Sequence, residues 1–200
     1  MWAGLTAAAE LANLFNEQDR RAAWLLAADE VRTAMKKHLW LENEGRFARG
    51  LSLTESGALE LDGTVDSSAF ATFYFGVFPP ESALVEGTMR AIRDRLAVRT
   101  EIGGITRYEN DPYHRIYETN GNPWILCTLW LAEHEVAKGN DQAALDLVRW
   151  ARTKATPSMI LPEQVDPHDG QHVSVAPLTW SHAQIVSIVQ GCLTIRRKAR

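Results

Sequence analysis

Along most of this chain, apolar residues recur at the three- and four-residue spacing of one helical face. Leu5, Ala8, Ala12 and Phe15 mark a first helix. Trp24, Ala28, Val31, Met35 and Leu39 mark a second, whose opposite side carries Asp29, Arg32 and Lys36. The connection between them is short, so the two are expected to form an antiparallel pair. Asp66 can cap a third helix, SSAFATFYFGVF, which is apolar nearly all round, should be buried on most sides and should end at Pro79 and Pro80. A fourth, starting near Glu81, presents Val85, Thr88, Ile92 and Leu96 on one face. Asn122 followed by Pro123 is a start signal for a fifth, WILCTLWLAEHEVAK, which should end at Gly139. Asp141 can cap a sixth with Ala144, Leu145, Val148 and Ala151 inward, and Ala183, Val186, Val189 and Leu193 mark a seventh.

The helical pattern breaks in three places. Residues 41–65 are punctuated by Gly45, Gly50, Gly57 and Gly63 around short apolar pieces, the signature of a long loop with a small hairpin. EIGGITRYENDPYHRIYETNG is dense in aromatic and charged groups, and LPEQVDPHDGQHVSVAPLTWSHA separates the last two helices. Long ordered loops in compact domains are often functional, so chemistry is sought there. No repeat, low-complexity tract or linker divides the chain, and residues 1–200 are expected to form a single all-α domain of about seven helices in antiparallel pairs. Seven is an odd number for paired helices, and the first is the one expected to lack a partner.

Composition narrows the classes. With 46% hydrophobic and 23% charged residues, the chain can bury a core of ordinary size. A net charge of −4 argues against a nucleic-acid partner, which calls for a basic surface. The cations Arg196, Arg197, Lys198 and Arg200 read as a solvated helix end. No apolar run approaches the ~20 residues that cross a bilayer, and the start lacks a signal-peptide pattern, which gives a cytoplasmic expectation with no membrane partner. Cys127 and Cys192 fall among apolar helical neighbours, so no disulfide framework is expected.

Several chemistries are disfavoured. Glu133, His134 and Glu135 are adjacent on a helix and point about 100° apart, so they cannot converge on one metal ion. HExxH, GxGxxG, a GKS or GKT phosphate loop and a GxSxG elbow are all absent, and no metal or cofactor is expected. Asp166 to Gly170, DPHDG, is a turn rather than a calcium loop, because it lacks ligand alternation and a closing glutamate. What remains is Arg107, Tyr108, Glu109, Asp111 and Tyr113, then Trp124, then Glu163, Gln164 and Trp180. Sugars are bound by such mixtures: aromatic faces pack on the C–H surface of a pyranose while Arg, Asp, Glu and Gln bond its hydroxyls. Ordinary exposed loops have similar composition, which alone does not separate the two.

Three stretches do. GGITRYENDPY, GNPWILCTLWLAEH and LPEQVDPHDGQHVSVAPLTWSHA, in this order and spacing, resemble the C-terminal half of the glucoamylase-type glycoside hydrolases, glycoside hydrolase family 15. The resemblance implies part of an (α/α)6 toroid, six inner helices ringed by six outer ones, with the active site in loops at one end. It also implies an inverting, exo-acting hydrolase of α-glucan oligosaccharides, with one carboxyl group as general acid and another as general base to water. By its place in LPEQ, Glu163 resembles the base; Arg107 resembles the arginine that grips the sugar, Trp124 an aromatic wall, and Trp180 an indole near the base. Asp111 and Gln164 are weaker matches that can also order their loops. The family's acid, a glutamate in a tryptophan-containing, acid-rich motif, has no counterpart, for neither Glu10 nor Glu17 has the surrounding pattern. The resemblance therefore implies a chain with little activity alone. The alternative is a non-catalytic sugar-binding or assembly module, in which the half toroid pairs with a complementing N-terminal half or with its own copy.

Overall fold

A computed structural model describes residues 1–116 and 119–198, without the side chains of 195–198, so the side chains of the basic end lie outside what is described. Helices α1 (Trp2–Leu14) and α2 (Gln18–His38) form the expected antiparallel pair. Its fully buried residues are Ala9, Ala12 and Ala28, small side chains that let the two backbones approach closely. Phe15, expected on the buried face, is exposed instead, because α1 stops at Leu14 and the chain turns through Asn16 at φ 59°. The loop that follows holds two antiparallel hairpins, β1 (Trp40–Leu41) with β2 (Arg46–Phe47) and β3 (Gly50–Leu53) with β4 (Leu59–Asp62).

The third helix is shorter than its apolar run. Asp66 caps a single 3₁₀ turn, Ser67–Phe70, by accepting from Ser68 N, and one α-turn follows, α3 (Ala71–Tyr74). The helix ends before Gly76, at φ 78°, and never reaches the proline pair. Nor is it buried all round, since Tyr74 and Phe75 are exposed. Aromatic and β-branched residues favour helix weakly, so tertiary contacts decide such a segment. By contrast α4 (Ala83–Arg95) is built as its spacing predicts, and Val85, Thr88, Ile92 and the following Leu96 are all buried.

Helix α5 (Ile125–Ala137) is buried on nearly all sides and packs against α3 and the 3₁₀ turn, α4, α6 (Asp141–Thr153) and α7 (Thr179–Lys198). One core surrounds α4 and the 3₁₀–α3 segment, with Phe47, Phe70, Met89 and Leu131. The second joins α5, α6 and α7 through Ile125, Leu129, Ala144 and Ile188. The helix without a hairpin partner among the described residues is α7 rather than α1, because the three-residue connection after Leu14 commits α1 to α2. Helix α7 buries Ser181, Ile188 and Cys192 and leaves Val186, Val189 and Leu193 exposed, the opposite of a stripe chosen by hydropathy. Glu133 on α5 is buried against α7, where Gln184 and Ser187 donate to it; burial nonetheless raises its pKa. Among the described residues, no helix is long and apolar enough to cross a membrane.

Candidate active site

Backbone bridges bring the second and third loops together at the start of α5. Trp124 lies between Ile105 and Gln164, donating from its N to Ile105 O at 2.9 Å, and Val165 N donates to Pro123 O at 3.0 Å. Thr128 Oγ1 accepts from Ile105 N at 2.9 Å and donates to Trp124 O at 2.8 Å, so α5 itself fixes Ile105 in this bridge. Gly104, at φ 93°, must be glycine: a Cβ there would lie 2.5 Å from the Trp150 ring and 2.9 Å from Pro123.

Arg107 and Asp111 meet in a bidentate ion pair, with Nε at 3.0 Å and the terminal nitrogen at 2.8 Å. Asp111 is 1% exposed and also accepts from Tyr113 N at 3.1 Å. The Arg107 guanidinium lies 4.7 Å from the Trp124 ring, 4.9 Å from Tyr108 and 5.3 Å from Tyr113. Burial alone would lower its pKa, but the Asp111 bonds and charge outweigh burial and raise it, so the cation is permanent. A planar fork held on an aromatic floor with one edge toward solvent can bond vicinal hydroxyls.

Glu163 is fixed through its backbone. Its carbonyl accepts from Ile125 N at 3.0 Å and its N donates to Val175 O at 2.9 Å. Both side-chain bonds fall on Oε2: Ser174 Oγ donates at 2.5 Å and Gln164 Nε2 at 3.3 Å. Among the described residues no protein group bonds Oε1. Gln164 is fully buried and accepts at its Oε1 from Asn122 at 3.0 Å. Asn122, expected to cap α5, spends its side chain on Gln164 and on the backbone of His114 and Ile116, and Trp124 takes the cap position.

Trp180 stands apart. Leu178 N donates to Leu161 O and Ser181 Oγ to Pro162 O, which ties the start of α7 to the Glu163 loop. The indole itself is 67% exposed and lines a separate cavity of about 310 Å³ with Tyr74, Leu126 and Trp130. A larger cavity, about 510 Å³, lies elsewhere, between α1, α2 and the 3₁₀ turn; it is mostly apolar, with Arg49 and Asp66 its charged side chains. It contains none of the residues expected in the site.

Sequence reasoning missed Ser174, Arg49 and the true task of Asn122. Ser174 takes φ 65°, a conformation unusual for serine, and a lone serine in a loop gives no local signal of it. No group of three metal-ligating side chains converges among the described residues. Glu133, His134 and Glu135 diverge as helical geometry requires, toward Gln184, Pro80 O and Arg93. DPHDG is a turn, with Asp166 Oδ1 accepting from His168 N at 2.7 Å and Gly170 at φ 75°.

Known proteins share this fold. A bacterial glucoamylase complexed with acarbose superposes with a TM-score of 0.81 at 23% identity, over 96% of this chain and 32% of that one. A family 15 glucoamylase from Hypocrea jecorina gives 0.70 at 18% identity, over 97% and 41%. These likenesses establish the fold, a partial (α/α)6 toroid. An uncharacterized glycosyl hydrolase of Methanocaldococcus jannaschii is 29% identical over 94% of this chain and 30% of its own length. A trehalase of Mycobacterium tuberculosis is 26% identical over 99% and 27%. The chain thus spans under a third of these curated relatives' length. Residues 1–156 match the model of glycosyl hydrolases family 15, and with the ordered loops and the toroid arc in agreement, the chain belongs to that family.

Proposed function

We propose that this chain carries the base-bearing half of an inverting, exo-acting α-glucosidase site, acting on starch- or dextrin-type oligosaccharides, within one domain spanning residues 1–200. The observation that carries this reading is the asymmetry of Glu163. Its Oε2 is held by two donors while Oε1 has no protein partner among the described residues, the disposition of a carboxylate that takes a proton from water. In an inverting enzyme that water lies between the base and an acid ~6.5–9.5 Å away. Arg107, steadied by Asp111, grips hydroxyls of the departing sugar, Trp124 walls the site, and Gln164 holds Glu163 in place. Trp180, in its own cavity at the start of α7, enters this reading only through the resemblance, as an indole near the base. Neither Glu10 nor Glu17 carries the sequence pattern of the acid; Glu10 is exposed on α1, and Glu17 is exposed and paired with Arg20 at 2.8 Å. The chain alone is therefore inactive, because acid assistance contributes ~10²–10⁴-fold. Incubation with maltose, isomaltose and trehalose should give no turnover, and turnover abolished by Glu163→Gln would overturn that claim. Binding of acarbose, weakened by Arg107→Met, tests the sugar site itself.

A second reading, assembly with a complementing N-terminal half or with a second copy, is favoured by the exposed apolar edges of the arc. Val186 is 55% and Leu193 51% exposed on α7, while Leu14 and Phe15 are 75% and 74% exposed at the end of α1. Light scattering tests self-association, and a monodisperse monomer would count against the homodimer.

A further inference from the structure

Arg49 carries no motif, yet it lies closer to the Tyr108 ring than Arg107 does. The guanidinium carbons of Arg49 and Arg107 are 4.4 and 4.9 Å from that ring's centre. Each cation has a carboxylate as its nearest partner. Arg49 Nε pairs with Asp66 at 3.0 Å, with Asp62 farther off at 3.7 Å from a terminal nitrogen, and Arg107 is doubly bonded to Asp111. Both carboxylates are buried, Asp66 to 9% exposure and Asp111 to 1%. Two ion-paired guanidinium groups from distant segments thus share one aromatic ring. The segments are also stitched by backbone, with Ser67 N donating to Arg107 O at 2.8 Å and Glu109 N to Val65 O at 3.1 Å. Arg49 is itself anchored where the β3–β4 hairpin begins, its N donating to Asp62 O at 2.9 Å.

We propose that Arg49 is a positioning residue for Arg107. Asp66 aims the Arg49 guanidinium at Tyr108, and the ring so held limits where the Arg107 fork can turn. Tyr108 Oη adds a long bond, accepting from Arg107 at 3.5 Å. The need for such a device follows from exposure: the Arg107 side chain is 34% exposed, and the bonds to Asp111 along one edge leave the rigid plane free to tilt about that edge. A stabilising role alone would be modest, because Arg49 is 39% exposed and such pairs contribute little net energy. The effect belongs to the direction of Arg107 rather than to the fold. This inference rests on Arg107 as the sugar-gripping residue, and the test separates the two.

The test compares the native chain with Arg49→Met, Tyr108→Leu and Tyr108→Phe. Arg93→Met, which breaks the Arg93–Glu135 pair of 2.7 Å between α4 and α5, is the control for general loosening. The ¹H–¹⁵N signal of Arg107 Nε, assigned by its loss in Arg107→Met, reports orientation without any ligand. Acarbose affinity reports function, and urea unfolding reports stability. Arg49→Met and Tyr108→Leu are expected to displace the Arg107 signal and weaken acarbose about tenfold, the scale of one charge-assisted bond lost. Tyr108→Phe is expected to restore the signal that Tyr108→Leu loses, and Arg93→Met to leave it in place. An unmoved Arg107 signal in Arg49→Met, or an equal displacement in Arg93→Met, overturns the proposal whatever the sugar result. A displaced signal in a chain that binds no acarbose upholds the positioning and overturns the sugar reading.

Discussion

Replacing Asp111 with asparagine tests whether the Arg107 pair behaves as a buried pair or a surface one. The carboxylate makes three bonds, to Arg107 Nε at 3.0 Å, to its terminal nitrogen at 2.8 Å and from Tyr113 N at 3.1 Å, and is 1% exposed. Asparagine can keep its carbonyl on the Oδ1 side, but then its amide faces Arg107 Nε, donor against donor. One charge-assisted bond is lost along with the charge, a cost of roughly 1.5–3 kcal/mol for a well-buried pair. The Arg107 side chain is 34% exposed and can turn to water, which brings the expectation to about 2 kcal/mol. Arg107→Met alone should cost more, about 3 kcal/mol, because it strands a carboxylate that cannot reach solvent. The double variant should cost at least about 1 kcal/mol less than the sum, the mark of direct coupling. Urea unfolding at pH 7 measures all three, and each kcal/mol should appear as a melting shift of about 2–4 °C for a chain of this length. Losses below about 0.5 kcal/mol that simply add would show the pair to be solvent-screened and refute the reasoning.

Three further outcomes follow from single features. Gly104→Ala should destabilise by about 3 kcal/mol or more, since the new methyl meets the Trp150 ring at 2.5 Å on a backbone at φ 93°; wild-type unfolding would contradict the packing. Burial lowers the pKa of His134 from 6.5, so the native fold favours the neutral ring. Its contribution is therefore intact above pH 6.5 and lost as pH falls below it; His134→Gln, which can still donate to Pro80 O, should flatten stability between pH 7 and 5, and an unchanged slope would refute this. Burial pushes the Cys127 thiol up to about 12, so in a Cys192→Ser background a disulfide reagent at pH 8 should label Cys127 only after unfolding; prompt labelling of the native chain would contradict it.

Local pattern carried much of this protein. The spacing of Val85, Thr88, Ile92 and Leu96 fixed α4 and its buried face, and the short link after Leu14 fixed the α1–α2 pair. The loop motifs named the residues that later meet, and Arg107 with Asp111, then Glu163 with Gln164, are neighbours in sequence as well as in space. Other matters were settled only by partners distant along the chain. The apolar run after Asp66 is a 3₁₀ turn and one α-turn because neighbouring elements, not propensity, dictate its course. Helix α7 has apolar residues on more than one face, and α5 and α6 select Ile188 and Cys192 while leaving Val186 and Leu193 outside. Asn122 offers a cap locally but finds Gln164, 42 residues away, and Arg49 reaches the Arg107 loop through Asp66 and Tyr108. A sequence determines which side chains are apolar and which carry charge at each turn of helix. Which neighbour covers them, and so which loops converge on one carboxylate, depends on contacts between segments that no local period encodes.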